Sequence, residues 1–297
     1  MRRLSHRFIS RVLAVFVVIL PSAPLPIRAA EPPAPSHMSQ APVAAPVAPP
    51  VATYADLATL ADSASLILKL RIRKLAVVEP ARAPDVRKGW ARLYIEAEPQ
   101  GVVLGPQVLL PVLRYLLDAP LDAKGHPPAL KKQVVLVFAR PVAGDQGQLR
   151  LVAPDSQLPW SDDLEARARK VLAELAAPGA PGQVRGVREA MYVPGTLAGE
   201  GETQIFLDTV GGTPASITVT HKPGVPPRWS ASFTEVVDSS GAPPPQDTLA
   251  WYRLACFLPD TLPPGANVSE AAADREAAAS DYALIRGKLG VCARLRG

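Results

Sequence analysis

The stretch that decides the fold is QVVLVFARPVAGDQGQLRLV, residues 133–152. Its first part, 133–140, carries apolar residues on both faces, which predicts a strand buried on both sides. The polar, glycine-containing residues 144–147 predict a hairpin turn that leads into a second strand over 148–153. The two strands therefore indicate a β-rich core around which the preceding part of the chain is arranged.

Three further strands are predicted before this hairpin. Residues 65–73 alternate apolar and basic side chains in their second half, as a half-buried strand does. A second strand covers 90–98, and a third lies within 108–118, bent at Pro111. No crossover helix is predicted between these strands. Five strands within 65–153 therefore predict a small, closed or nearly closed antiparallel barrel.

The second half of the chain predicts a helix followed by a second sheet. Ser161 provides an N-cap for a helix whose apolar residues recur at helical spacing until Pro178 and Gly179 end it. Alternating stretches then predict four antiparallel strands. These strands are 187–193, 203–210, 216–220 and 229–234.

Two C-terminal helices complete the prediction. Asp247 is predicted to cap a buried helix over 248–258, and Ser269 to cap a second helix that Gly290 ends. The predicted fold is mainly β: a small antiparallel, OB-like β-barrel, then a helix, a four-stranded antiparallel sheet and two helices. This order predicts a β-barrel domain over 53–158 and an α+β domain over 159–297.

The first thirty residues have the pattern of a signal peptide. Four arginines lie before or at the start of an apolar run over 12–20, and Ala29–Ala30 offers a cleavage site. An uncleaved N-terminal anchor is the alternative. Residues 31–52 are rich in Pro and Ala, which predicts a disordered linker. We therefore expect a periplasmic or secreted protein with no transmembrane span after signal cleavage.

The net charge of +5 comes from this leader. The chain has 32 basic and 27 acidic residues, and residues 1–30 hold five arginines and no acid, which leaves 27 of each sign. Nucleic-acid binding needs clustered Lys and Arg, so a nucleic-acid partner is not expected.

Two cysteines follow, Cys256 and Cys292. In an exported protein an isolated pair predicts one disulfide, with two buried free thiols as the alternative. Histidines beyond the leader and linker are His126, in a proline-rich loop, and His221, at a strand end. His221 is interpreted as a solvated turn residue, with a general base as the alternative. The sequence shows no metal-ligand spacing and no catalytic motif, so neither a metal nor a cofactor is expected.

One segment has a composition that suits a contact surface, PGTLAGEGETQ over 194–204. Its glycines leave the backbone free to approach a partner, and its acids are predicted to point to one side. The predicted binding residues are Gly199, Glu200, Gly201, Glu202 and Gln204. A catalytic alternative uses Glu200 and Glu202 with Asp208, because paired carboxylates 5–10 Å apart can hydrolyse glycosides. Calcium binding by these carboxylates is a further alternative.

The stretches ARLYIEAE (91–98) and VVLVFARPVAGDQGQLRLV (134–152), with the strand order over 65–153, resemble the OB-fold barrel of secreted modules like the tissue inhibitors of metalloproteinases. The stretches PGTLAGEGETQIFLDT (194–209) and DTLAWYRLACFLPDTLP (247–263) resemble exported proteins of sphingomonad-type alphaproteobacteria. The second resemblance implies a bacterial envelope location and no activity.

The sequence thus favours a non-catalytic interaction or ligand-binding protein of the periplasm or cell envelope. Its partner would be an envelope protein or a glycan. The alternatives are an envelope hydrolase built on the paired carboxylates and a protease inhibitor that uses a barrel loop.

Overall fold

A computed structural model describes residues 51–107, 110–235 and 241–296. The predicted signal peptide, the predicted linker up to residue 50 and the first residues of the predicted third strand lie outside these ranges. The described helices are α1 (Tyr54–Ser63), α2 (Asp162–Ala176), α3 (Leu249–Ala255) and α4 (Ala272–Leu289). The described strands are β1 (Leu66–Val77), β2 (Trp90–Leu104), β3 (Leu113–Pro120), β4 (Val134–Val142), β5 (Asp145–Leu151), β6 (Gln157–Pro159), β7 (Val184–Pro194), β8 (Gly201–Thr209), β9 (Ser216–Lys222) and β10 (Val225–Ser232).

The first five strands form a closed barrel in the order β1-β2-β3-β5-β4, and β4 returns to pair with β1. The predicted small β-barrel is confirmed. One contact differs from the prediction, because β3 meets β5 in parallel at Arg114 and Gln148. The tight hairpin between β4 and β5 fixes the direction of β5, so closing the barrel brings two strands of the same direction together. Strand β4 pairs with β5 over residues 139–142 and with the short strand β6 over residues 135–137.

Strand β4 is buried on both faces, as its apolar sequence predicts. Val135, Val137 and Ala139 point into the barrel and pack with Leu68, Ile95 and their neighbours. Leu136 and Phe138 belong to a second core outside the barrel wall. A strand that serves two cores has no face left for polar residues.

The second core lies between the barrel wall, helices α1 to α4 and one face of the second sheet. Helix α1 starts at Tyr54, and Thr53 and Asp56 form a capping box at its N-terminus. Ser161 caps α2 as predicted, with its hydroxyl accepting from the N–H of Leu164 at 3.1 Å. Because barrel and sheet residues share this core, the predicted domain boundary at 158/159 stays a prediction.

The second sheet is antiparallel in the order β10-β9-β8-β7, which confirms the four predicted strands. Strand β10 starts four residues earlier than predicted, at Val225, and includes Pro226 and Pro227. Prolines are tolerated there because β10 is an edge strand and needs fewer backbone donors. Alternation along β8 puts Thr203, Ile205 and Leu207 on the buried face.

Two predicted helix caps are wrong. Asp247 has a left-handed φ of 57°, and Thr248 caps α3 instead, accepting from the N–H of Trp251 at 3.3 Å. Ser269 does not cap α4, which starts after Ala271. The Ser269 hydroxyl instead accepts from the backbone N–H of Tyr192 at 3.0 Å, because the loop before α4 runs along the edge strand β7.

The predicted disulfide is confirmed between Cys256 and Cys292, whose Cα atoms are 5.1 Å apart. It joins the end of α3 to the segment that follows α4. None of the helices within the described ranges combines the length and hydropathy needed to cross a bilayer.

Candidate functional site

The predicted contact segment forms the hairpin between β7 and β8. The N–H of Gly195 donates to the carbonyl of Glu200 at 2.8 Å, which closes the turn. The Glu200 carboxylate accepts from the backbone N–H of Leu197 at 3.3 Å. The Glu200 carboxylate, which the sequence predicts to contact a partner, is therefore hydrogen-bonded within its own turn.

Two of the three glycines of this segment, Gly199 and Gly201, are explained by local structure. Gly199 has a φ of 81°, a conformation that favours glycine. A Cβ on Gly201 would lie 2.0 Å from the Tyr192 hydroxyl, so any side chain there would collide with that ring. The glycines therefore fit the hairpin and its packing, whether or not a partner is bound.

The remaining predicted residues lie on the outer face of β8. The Gln204 amide donates to the Glu202 carboxylate, and the buried Oε1 of Gln204 has no partner within the described ranges. Asp208 is six residues from Glu202 along the strand, about 20 Å at the usual rise of 3.3 Å per residue. Paired-carboxylate hydrolysis needs about 5–10 Å. The structure therefore does not bring Asp208 to the two glutamates.

Asp208 lies instead at the other end of β8, on a shallow cavity of about 310 Å³. Glu235 lines the same cavity, together with Arg188 and Phe206. The guanidinium of Arg188 is 5.8 Å from the centroid of the Phe206 ring. This cavity is separate from the predicted contact segment.

The interpretation of His221 as a solvated turn residue is wrong. Its Nε2 lies 2.9 Å from both carboxylate oxygens of Asp281 on α4, and Asp281 is only 4% exposed. The Thr203 hydroxyl donates to the same carboxylate at 2.5 Å. A buried carboxylate with two donors ties β8 and β9 to α4. Since Thr203 is fully buried, its hydroxyl cannot meet a substrate.

A larger site lies at one end of the barrel, where β2 begins and β3 ends. Two adjoining cavities of about 410 and 390 Å³ open there. We call them together the barrel-mouth groove. Five lining residues are common to both cavities: Arg87, Trp90, Asp118, Asp155 and Arg296. Helix α1 forms a further wall through Asp56, Thr59 and Leu60.

An aromatic ring and a guanidinium stack at the floor of the groove. The guanidinium carbon of Arg87 is 3.5 Å from the centroid of the Trp90 ring. A cation placed over an indole face is a favourable contact, and the exposed Arg87 keeps donors free for a ligand. Residues 80–89, which carry Arg87, form the loop that leads into β2.

A second arginine, Arg92, holds two carboxylates of the groove. It donates to both oxygens of Asp118 at 2.8 and 2.9 Å and to both oxygens of Asp85 at 2.9 and 3.0 Å. These bonds raise the pKa of Arg92 above its ordinary value and lower the pKa of Asp85. Bidentate pairs of this kind fix side-chain geometry, so this side of the groove is preorganised.

The wall opposite is acidic. Asp56 is 2% exposed, and its Oδ2 accepts from the backbone N–H of Thr53 at 2.9 Å. Its Oδ1 has no partner among the residues that the structure describes. Asp155 accepts from the guanidinium of Arg296 at 2.9 Å. The groove therefore offers a stacking face, carboxylate acceptors and guanidinium donors, a combination that suits recognition.

Within the described part of the chain no three His, Cys, Asp or Glu side chains are grouped to hold a metal ion. Sequence reasoning missed the barrel-mouth groove, because its residues come from six separate segments. The signal that existed is PARAPDVRKGW over 80–90, where charges and prolines precede a tryptophan at the start of a strand.

Comparison with protein-family models gives no match to this chain, and comparison with curated proteins gives none either.

Proposed function

We propose that this chain is a non-catalytic binding protein of the bacterial cell envelope whose partner, a protein segment, docks in the barrel-mouth groove. The observation that carries the proposal is the groove itself. It combines a cavity of about 410 Å³ with the stacked Arg87–Trp90 pair and carboxylates fixed by Arg92. Clefts with an apolar surface and a few placed polar groups are the usual form of ligand sites.

The geometry supports binding better than hydrolysis. Glu200 is bonded within its own turn, Glu202 to Gln204, and Asp208 lies at the far end of β8. Asp208 is therefore too far along the strand to act together with either glutamate. The envelope location rests on the signal-like leader and is consistent with the disulfide.

The groove is also a better contact surface than the β7–β8 hairpin. The hairpin tip presents Leu197, which is 62% exposed, but the polar groups around it are bonded to one another. The groove keeps the exposed Arg87 and the ring of Trp90 available beside an open volume. OB-like barrels commonly bind ligands through the loops at a barrel end and the adjoining strand faces.

Site-specific photo-crosslinking in the native envelope tests the proposal. A benzophenone amino acid replaces the exposed Pro154, which lines the groove, Leu197 at the hairpin tip, or the exposed Glu276 on α4 as control. We expect one defined adduct from position 154 and none from positions 197 and 276. The adduct should fall at least tenfold when Asp155→Asn is added, because that change removes a charged acceptor of the groove.

Absence of a groove-specific adduct, or an adduct that Asp155→Asn leaves unchanged, would contradict the proposal. An adduct from position 197 alone would move the contact surface to the hairpin. Co-sedimentation with purified peptidoglycan that depends on Arg87 would identify a glycan as the partner in place of a protein.

A further inference from the structure

The barrel-mouth groove already receives a segment of this chain. Residues 293–296, which follow Cys292 and which we call the strap, lie along its acidic wall. Arg294 donates to the Thr59 hydroxyl at 2.7 Å, and the backbone N–H of Leu295 donates to Oδ2 of Asp56 at 3.1 Å. Arg296 donates to the Asp155 carboxylate at 2.9 Å. The groove thus binds a short peptide in cis.

The charges of groove and strap are complementary. Apart from the strap, the groove and its Arg92 clamp have four carboxylates and two guanidiniums. These are Asp56, Asp85, Asp118 and Asp155, against Arg87 and Arg92. Two negative charges are left over, and the strap supplies two arginines. Without the strap, the site is an acidic cleft with the size and the acceptors to take arginine side chains.

Asp56 shows that this wall is built to receive a ligand. A buried carboxylate needs donors, and Asp56 takes one from its own helix cap and one from the strap backbone. Its Oδ1 is buried and has no partner within the described ranges, and Asp56 is one of the residues that line the cavity. An acceptor in this state favours a segment that brings further N–H groups.

The strap is held in a way that allows displacement. Leu295 is 60% exposed, Arg294 is exposed as well, and the strap contributes no residue to either hydrophobic core. Its contacts are hydrogen bonds and one ion pair near the surface, which are individually weak. A segment with the same spacing of arginines would make the same contacts.

We propose that the barrel-mouth groove binds extended peptide segments with arginines two residues apart, and that the strap is an intramolecular occupant which such a segment displaces. This inference rests on the proposed function and names the chemistry of its partner. The strap is tethered at Cys292 by the disulfide to Cys256, so its effective concentration at the groove is in the millimolar range. A free peptide therefore competes poorly with the intact chain.

The test uses the peptide acetyl-Ala-Arg-Leu-Arg-Gly-amide and isothermal titration calorimetry. It compares the intact chain with a chain shortened to end at Cys292. We expect the peptide to bind the shortened chain at least tenfold more tightly than the intact chain. Replacing both peptide arginines by Gln should weaken binding at least tenfold, and so should Asp155→Asn in the shortened chain.

A second variant distinguishes an effect on peptide binding from an effect of the truncation on folding. The double change Arg294→Gln and Arg296→Gln keeps the chain length and should also open the groove to the peptide. Circular dichroism and thermal unfolding establish that each variant is folded before titration. Equal binding of the arginine and glutamine peptides, or no binding by either opened variant, would overturn the inference.

The crosslinking experiment, repeated on the opened variants, separates the two proposals. A groove-specific adduct without peptide binding would overturn the strap inference and leave the proposed function standing. Peptide binding without any adduct in the envelope would overturn the proposed function and leave the strap inference standing. An adduct that increases when the strap is removed and decreases with added peptide supports both.

Discussion

At the scale of single residues, Asp281 shows how one buried carboxylate organises its surroundings. It sits on α4 at 4% exposure and accepts from the Thr203 hydroxyl and from His221. Without it the buried Thr203 hydroxyl would be unsatisfied, and the His221 ring, whose side chain is 26% exposed, would keep only water as a partner. The carboxylate therefore joins the second sheet to the helix that covers it.

Removing this carboxylate should cost stability. We expect Asp281→Ala to lower the free energy of unfolding by about 2–4 kcal/mol, because it leaves two donors unpaired and opens a small cavity. Denaturant unfolding followed by tryptophan fluorescence measures the change. The neighbouring exposed Ser280→Ala on the same helix is the matched control and should shift stability by less than about 0.5 kcal/mol. Similar losses for both variants would contradict the role assigned to Asp281.

A second residue-scale prediction concerns pH. Glu165 accepts from the Trp160 indole N–H at 2.8 Å and from Arg169, and these bonds lower its pKa below the usual 4.5. A carboxyl group with a depressed pKa in the folded state adds stability above about pH 4.5, and that contribution is lost as the pH falls further.

The variant Glu165→Gln should therefore be less stable than the unmodified chain at pH 7, and this deficit should shrink as the pH falls below about 4.5. Chemical unfolding at pH 7 and at pH 3 measures the difference. Glu276→Gln, exposed on α4, is the control and should show no such pH dependence. A Glu165→Gln deficit that persists at low pH would mean that packing, and not the charge, stabilises this contact.

At the scale of elements, the burial of a strand could be predicted from the sequence, whereas the residue that begins a helix could not. Strand β4 could be predicted with its burial, because an uninterrupted apolar run demands two apolar surroundings, and both cores are present. The cap of α4 could not, since Ser269 has the right chemistry for a cap but bonds to Tyr192 on β7. Local sequence signals therefore predict that a helix forms. The residue at which the helix begins also depends on contacts with backbone groups that are distant in the sequence, which those signals do not report.

The disulfide is the element-scale feature with the clearest expected effect. Cys256 and Cys292 close a loop of 36 residues between the end of α3 and the strap. Replacing both by Ser should lower the free energy of unfolding by about 3–4 kcal/mol in the chain-entropy model. The same unfolding experiment, performed on the unmodified chain with and without reductant, should give a matching loss. A loss below about 1 kcal/mol in both would show that packing of α3 and α4 already restricts this loop.

At the scale of the whole molecule, the candidate site is what the sequence could not predict. The groove unites segments near residues 56, 87, 118, 155 and 296, each of which is ordinary in isolation. The segment that looked functional, 194–204, is explained by its hairpin. Composition and periodicity report on neighbours in the chain, whereas a groove at a barrel end depends on which loops the closed topology brings together.

The shared core leads to the last prediction, which concerns cooperativity. Ile67, Leu136 and Phe138 on the barrel wall pack in one cluster with Val171 on α2 and Trp251 on α3. A barrel unfolding alone would expose this apolar surface, so we expect residues 53–297 to unfold in a single transition.

Far-UV circular dichroism, which follows the sheets, and tryptophan fluorescence should therefore give coincident curves, and the calorimetric and van't Hoff enthalpies should agree. Phe138→Ala removes a ring that both halves contact and should lower the common midpoint, at a cost of about 3–5 kcal/mol for a buried Phe. If the two halves were separate domains, as the sequence predicts, Phe138→Ala would split the curves. One transition moving as a whole would place the boundary at 158/159 inside a single cooperative unit.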